Sequence, residues 1–391
     1  MISVEEALAQ VLRLAQPLPT ETLPLRQTLG RRLAAPVTAR MSQPPFDASA
    51  MDGYAVAGDA TPGAKFTVIG EAAAGHGFDR SLVGGQALRI FTGAPVPKGA
   101  NRVVIQENVE RAGNIITIGP HPDSARHIRP HGQDFAAGTR FLPKILTPAD
   151  LGLLAAMNIA EVPVPRRPVV AFVSTGDELV MPGERPGPDQ IIASSAIALA
   201  ALAETAGATS RILPIARDDL ASLRVVLDLA RGADVIVTLG GASVGDHDLI
   251  GRQAQELGLE LDFWKIALRP GKPVMAGTFN GVPFLGLPGN PVSAYVCALL
   301  LLLPMLRAMQ GDPAPEPLVR TALSGTDLAA NGARRHFMRA NFDDQSGQIT
   351  AHRTQDSALT SVLAQSNALL IRPECDPARA TLERVPYLPL P

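Results

Sequence analysis

Cysteine is nearly absent: the 391-residue chain has two, Cys297 and Cys375. Neither sits in a CxxC pair or near a histidine at ligand spacing, which excludes a disulfide framework and a structural zinc site. Aromatics make up only 4 % of the chain, too few for a stacking surface along single-stranded nucleic acid. Charge is sparse at 18 % and balanced, with 35 Lys and Arg against 37 Asp and Glu for a net of −2. Nothing in that balance calls for nucleic acid or an anionic membrane. Long apolar runs are missing too. The greasiest stretch, residues 295–303, is followed by Pro304 and falls short of the ~20 residues of a membrane span. It reads as a buried helix. The first residues show no basic region leading into an apolar one, so they do not read as a signal peptide. With no cysteine staples either, a cytoplasmic protein is expected.

Glycine and proline are plentiful, at 35 each, and apolar residues make up 46 %, so the chain reads as folded domains. Its length suggests about 2–4 of them. Ser3 and Glu6 form a capping-box pattern ahead of the stripe Ala7, Leu8, Val11, Leu12, which predicts an N-terminal helix. Residues 1–35 read as two helices split by the proline-rich stretch 17–24. A further helical piece starts at Thr147-Pro148-Ala149-Asp150, where Thr147 is an N-cap and Pro148 suits the first helical position. Between these pieces, residues 46–134 have an all-β texture of short apolar runs (65–69, 87–92, 115–118) broken by turn residues. The two helical pieces are expected to pack together around this insertion.

From 166 to 311 the texture changes. Apolar runs at 168–175, 211–215, 235–239 and 263–268 alternate with helical patterns at 194–206, 219–230 and 248–257. Strands apolar on both faces between helices predict an open parallel sheet covered by helices. After the proline-rich joint 313–317 a last β-like block follows, with turn signals at Asn331-Gly332 and Ser346-Gly347. The expected divisions are 1–45 with 135–165 as a split helical segment, 46–134 as an inserted β-domain, 166–312 as the α/β domain and 313–391 as a C-terminal β block.

Open α/β sheets bind ligands beyond the carboxyl ends of their strands. Three polar, glycine-bearing loops fall there: Ser174-Thr175-Gly176-Asp177-Glu178, Gly240-Gly241-Ala242-Ser243-Val244-Gly245-Asp246-His247-Asp248 and Pro288-Gly289-Asn290-Pro291-Val292-Ser293. In the second, paired glycines let successive N–H groups converge on an anion at a helix start. The plainer reading of that loop is a tight turn with Asp246 or Asp248 as N-cap. Asn290 reads as a helix N-cap with Pro291 behind it, and the plainer reading of Asp218 is the N-cap of the helix carrying Leu220, Leu223 and Leu227. Along Phe263 to Pro273, alternation puts Lys265, Ala267 and Arg269 on one side of a strand and its exit, and Lys272 follows. Cations set against Asp177, Glu178, Asp218 and Asp248 make a mixed site, basic groups for oxyanions and carboxylates for a hard divalent cation. His121, His127 and His131 read as loop histidines rather than metal ligands.

Taken in order, Ser49-Ala50-Met51-Asp52-Gly53-Tyr54-Ala55, Thr92-Gly93-Ala94-Pro95-Val96-Pro97, the three loops above, Arg217-Asp218-Asp219 and Arg269-Pro270-Gly271-Lys272-Pro273 resemble the molybdopterin molybdenumtransferase family, the MoeA-like proteins that include the gephyrin E domain. The resemblance spans most of the chain. It implies a multidomain α/β plus β protein: a molybdopterin-binding α/β domain, an inserted β-domain, a split helical segment and a C-terminal β-barrel, assembled as a homodimer. It implies molybdenum insertion from molybdate into adenylylated molybdopterin with release of AMP, in a Mg2+-dependent reaction. The alternatives are the adenylyltransferase step itself and a non-enzymatic cofactor carrier. Partners implied are molybdopterin adenylyltransferase and recipient molybdoenzymes, with no nucleic acid and no membrane.

Carried onto this chain, the resemblance gives Thr175, Gly176, Asp177, Gly240, Gly241, Ser243, Gly245, Gly271, Lys272, Pro288, Gly289, Asn290, Pro291 and Ser293 to the pterin and its phosphates. Glu178, Asp218 and Asp248 would hold the cation or the attacking group. Lys265, Ser243 and Ser293 would take molybdate, and Arg269 adds charge where lysine is common in the family. Asp52, Thr92 and Asp134 would complete the site from the other subunit.

Overall fold

The computed structural model describes residues 1–240 and 258–391. The expected helix over 248–257 and the loop residues Gly241, Ser243, Gly245 and Asp248 lie outside the described residues. The chain forms two compact units, Met1–Glu21 with Pro165–Pro391, and Thr22–Val164.

The first unit is built on a six-stranded sheet in the order Thr209–Ile212, Val169–Ser174, Val235–Leu239, Val282–Leu287, Met275–Phe279, Leu259–Trp264. The first four strands are parallel and buried through the centre, as βαβ units covered by helices require. The all-parallel expectation is corrected at one place: Met275–Phe279 runs antiparallel to both of its neighbours. Its turn into Val282–Leu287 is Asn280-Gly281, both with positive φ (48° and 79°), the conformation that a two-residue hairpin needs and that Asn-Gly adopts readily. The helices Ser195–Thr205 and Leu220–Leu229 fall where periodicity put them.

The apolar run after residue 290 is a helix from Pro291 to Met309, long and apolar enough by composition to cross a membrane, and mostly buried inside the unit. Pro304 does not end it. A π-helical turn, Ala298–Leu302, precedes the proline, and such turns relax the hydrogen-bond ladder where a proline removes a donor. The N-terminal helix Val4–Leu14 has the expected capping box, and its Val4, Ala7 and Val11 join this α/β core.

Residues 320–389 close into a barrel. Arg335–Asp343 pairs with Gln348–Ala351, then come Arg320–Ser324, Arg384–Pro389 and Ala368–Arg372, which returns to Arg335–Asp343. Gly347, at φ 67°, makes the expected turn after Asp343. Phe337, Leu369, Ile371 and Leu388 of the barrel belong to the same core as the α/β sheet, so barrel and sheet are one packed body.

The strand expected over 263–268 stops at Trp264. Lys265 takes φ 77°, and Leu268–Arg269 then pairs parallel with Arg335 and His336 of the barrel. Lys265 and Arg269 therefore do not share one strand face, because the left-handed residue breaks the alternation.

The second unit contains a sheet in the order Arg102–Ile105, Gly53–Val56, Gln86–Ile90, Lys65–Ala72, Ile115–Ile118, Val109–Ala112, with separate apolar cores around Val56 and Leu88. A third core gathers Leu33, Phe141, Leu154 and Val162 around the helix Pro148–Ala156. The helix expected within 25–35 is absent. That stretch holds only the short 3-10 turn Leu25–Gln27, after the strand Thr20–Pro24, where Pro24 favours extended backbone before it. The N-terminal helix buries its apolar face in the core of the first unit and Pro148–Ala156 in a core of the second.

Candidate functional site

At the carboxyl ends of Val169–Ser174, Val235–Leu239 and Val282–Leu287, a cleft of about 1020 Å³ opens toward the barrel. The sheet supplies Ser174, Thr175, Gly176, Glu178, Gly240, Pro288 and Gly289, and the barrel supplies Arg334, Gln355, Asp356 and Ser357. The strand ends are held close. Thr175 donates its N–H to the Leu239 carbonyl (2.9 Å), and Gly240 donates to the Leu287 carbonyl (3.2 Å). Gly240 has φ 95°, and a Cβ there would lie 2.7 Å from the Thr175 carbonyl oxygen, so only glycine fits.

Of the predicted residues, Thr175, Gly176, Glu178, Asp218, Gly240, Arg269, Gly271, Lys272, Pro288, Gly289, Asn290, Pro291 and Ser293 all line the cleft. Glu178 folds back over Gly176, where a side chain would strike its carboxylate. Asp218 is not a helix cap. Asp219 is, accepting from the Ser222 N–H at 2.8 Å, which leaves the Asp218 carboxylate on the cleft wall. Asp177 stands behind that wall, its Oδ1 accepting from the Asp218 N–H (3.3 Å) and its carbonyl from Arg217 (3.2 Å). Asn290 does not cap its helix through its side chain. Its Nδ2 instead donates to Ser357 Oγ at 3.1 Å, tying the helix start to the barrel wall. Gly271 lies over the buried Cys297, whose sulfur would be 2.5 Å from a Cβ there. Burial pushes the Cys297 thiol far up, which excludes it as a nucleophile near neutral pH.

Lys265 is not on the described cleft wall. Its ammonium sits 4.7 Å from the centre of the Trp264 ring. Sequence reasoning missed Arg334, Asp356 and Ser357, which lie far along the chain and reach the cleft only through the barrel. Arg334 donates to the Leu268 carbonyl at 3.4 Å, joining Arg269 and Lys272 on the cationic side. Burial first, and then the positive charge of Arg269, Arg334, Arg339 and Arg372, lowers the pKa of His336 to about 4. Among the described residues no group of three His, Cys, Asp or Glu could hold a metal. Glu178 and Asp218 nonetheless line one cleft, and hard carboxylate oxygens are the donors magnesium takes, since it binds through one or two carboxylates and keeps several waters.

The second unit brings Asp52 and Thr92 together: Asp52 Oδ1 accepts both the N–H and the hydroxyl of Thr92 at 2.8 Å. Those bonds hold the Asp52 carboxyl below its usual range. Arg89 packs over the Tyr54 and Phe91 rings and donates to the Gly53 carbonyl at 3.0 Å. Asp134 lines a smaller hollow with Phe46, Gly93 and Arg129. His127 is half-buried and bonded to Asp123 at 2.9 Å.

Comparison with known proteins sets this geometry in a family. Models of the MoeA N-terminal region (domain I and II), a probable molybdopterin binding domain and the MoeA C-terminal region (domain IV) match residues 2–158, 171–308 and 321–390. A Mycobacterium tuberculosis protein named molybdopterin molybdenumtransferase 2 is 38 % identical, covering 96 % of each chain. The chain belongs to the MoeA family. Another MoeA relative, the molybdopterin molybdenumtransferase of Nostoc, is 35 % identical over 90 % of this chain and 85 % of its own. A crystal structure of the Pyrococcus horikoshii molybdopterin biosynthesis MoeA protein superimposes with a TM-score of 0.88 at 29 % identity, covering 100 % of this chain and 99 % of that one. The MoeA fold thus extends over sheet, barrel and inserted β-domain alike.

Proposed function

We propose that this MoeA-family protein inserts molybdenum from molybdate into adenylylated molybdopterin, releasing AMP and the molybdenum cofactor. The observation that carries this reading is the cleft at the strand ends that Arg269, Lys272 and Arg334 line together with Glu178 and Asp218, in a chain whose relatives are named for the reaction. Breaking a phosphoanhydride requires charge to be neutralised on the departing AMP, and molybdate brings negative charge to a dithiolene that is itself anionic. The guanidinium forks of Arg269 and Arg334 and the ammonium of Lys272 offset that charge. The hydroxyls of Thr175 and Ser293 and the glycine backbone at Gly240 and Gly289 let a flat pterin approach the strand ends closely.

Glu178 and Asp218, with Asp248, would hold Mg2+, which when bound neutralises phosphate oxygens. Lys265 and Ser243 remain part of the proposed molybdate contacts. In the same reading the protein is a cytoplasmic homodimer in which Asp52, Thr92 and Asp134 complete the cleft of the other subunit. An adenylyltransferase supplies its substrate and molybdoenzymes take its product. Incubation with adenylylated molybdopterin and Mg2+ tests the reaction: AMP release that depends on molybdate supports it, and release indifferent to molybdate, or none, refutes it.

A further inference from the structure

Arg339 is the largest fully buried side chain among the described residues, 1 % exposed. It shares a strand face with Phe337, which packs in the α/β core, while Met338, Ala340 and Phe342 fill the barrel interior. Burying a charge is costly, and a well-packed apolar residue would serve a buried position at least as well. Its hydrogen bonds show what the charge does instead. Nη1 donates to the carbonyls of Asp356 (2.8 Å) and Leu359 (3.3 Å), and Nη2 to that of Thr354 (3.5 Å). Nε donates to Gln355 Oε1 (3.3 Å), which also accepts the Arg339 N–H (2.9 Å). Gln355 Nε2 donates in return to the carbonyls of Arg339 (3.0 Å) and His352 (2.8 Å). Residues 354–359 are thus wound around one guanidinium. The same segment presents Gln355, Asp356, Ser357 and Ala358 as the barrel wall of the cleft. Its far side is tied to the start of the buried helix, where Val292 donates to the Ser357 carbonyl at 3.1 Å and Asn290 to its hydroxyl.

We propose that Arg339 is a positioning residue: its fork fixes the 354–359 wall at the distance from Arg334, Arg269 and Lys272 that gives the cleft its affinity for an oxyanion. This rests on the reading of the cleft as an anion site. A lysine cannot reproduce it, because a single ammonium cannot serve carbonyls spread from Thr354 to Leu359 as a planar fork does.

The test uses the full chain carrying Arg339→Lys, with Arg339→Gln, which removes fork and buried charge together, as a second variant should the first fold poorly. Amide hydrogen exchange is followed along the barrel, and molybdate alone is titrated calorimetrically. The inference expects exchange over 352–360 to quicken by about tenfold while the strands Arg320–Ser324 and Arg384–Pro389 keep their protection, and molybdate affinity to fall by about tenfold, the scale of one lost charged hydrogen bond. Uniform loosening of the barrel, or unchanged affinity with a loosened wall, would overturn it, as would a wild-type chain that binds no molybdate. A wild-type chain that binds molybdate with the expected dependence on Arg339 but releases no AMP would overturn only the proposed reaction.

Discussion

His336 is 7 % exposed and paired in register with Arg269, so the cationic edge of the cleft is coupled to the acid stability of the barrel. Burial and the surrounding arginines lower its pKa from 6.5 to about 4. Between those values the unfolded chain binds the proton and the folded chain does not, so stability rises with pH through this window. The contribution is complete above pH 6.5 and is lost as pH falls toward 4, about 3 kcal/mol in all. Wild type is expected to lose more melting temperature between pH 7 and pH 5 than His336→Gln does. Equal losses in the two would remove His336 as the cause. Single residues also show where sequence was legible. That Glu178, Gly240 and Ser293 line the cleft was legible because each sits in a glycine-bearing loop at a strand end. Arg334 and Ser357 were not, because only the closure of the barrel, a long-range event, brings them there.

Among the elements, the helix Leu220–Leu229 separates structure from function within two neighbouring residues. The plainer reading of Asp218 in sequence was the helix cap, beside its reading as a site carboxylate, whereas Asp219 holds the extended cap conformation and the Ser222 N–H. Asp219→Ala is expected to destabilise the α/β unit by about 1 kcal/mol with little change in substrate affinity. Asp218→Ala should leave the melting temperature within error and lower turnover at least about tenfold, having removed a cleft carboxylate. Paired melting curves and steady-state rates check both, and the opposite pattern would return the cap to Asp218. Periodicity revealed the parallel strands and their helices because their apolar runs are continuous. It missed Met275–Phe279, whose short run lies beside a proline-rich loop, and overran Trp264, where a left-handed Lys265 ends the strand without any residue-type signal. The N-cap at Thr147 was readable because it is wholly local; the structure completes it as a capping box with Asp150.

In the whole molecule, the chain divides into two units, and the MoeA family models run through both. The proposed homodimer draws Asp52 from one copy and Glu178 from the other for each site. A mixture of separately inactive Asp52→Asn and Glu178→Gln chains, allowed to exchange subunits, should therefore recover about a quarter of wild-type activity, since half of the dimers would be mixed and each would carry one intact site. A mixture as inactive as its components would place both carboxylates in one subunit's site. The architecture of sheet and barrel was legible from texture and motif order, because continuous apolar runs and turn residues mark each element locally. The claim on which the rest depends is that metal insertion and AMP release are one coupled event. In a single-turnover reaction with adenylylated molybdopterin, Mg2+ and molybdate, the proposed function requires molybdenum incorporated and AMP released to rise together in equal amounts, with neither appearing when molybdate is withheld. AMP released in full without molybdate, or molybdenum bound with the adenylyl group still attached, would contradict it.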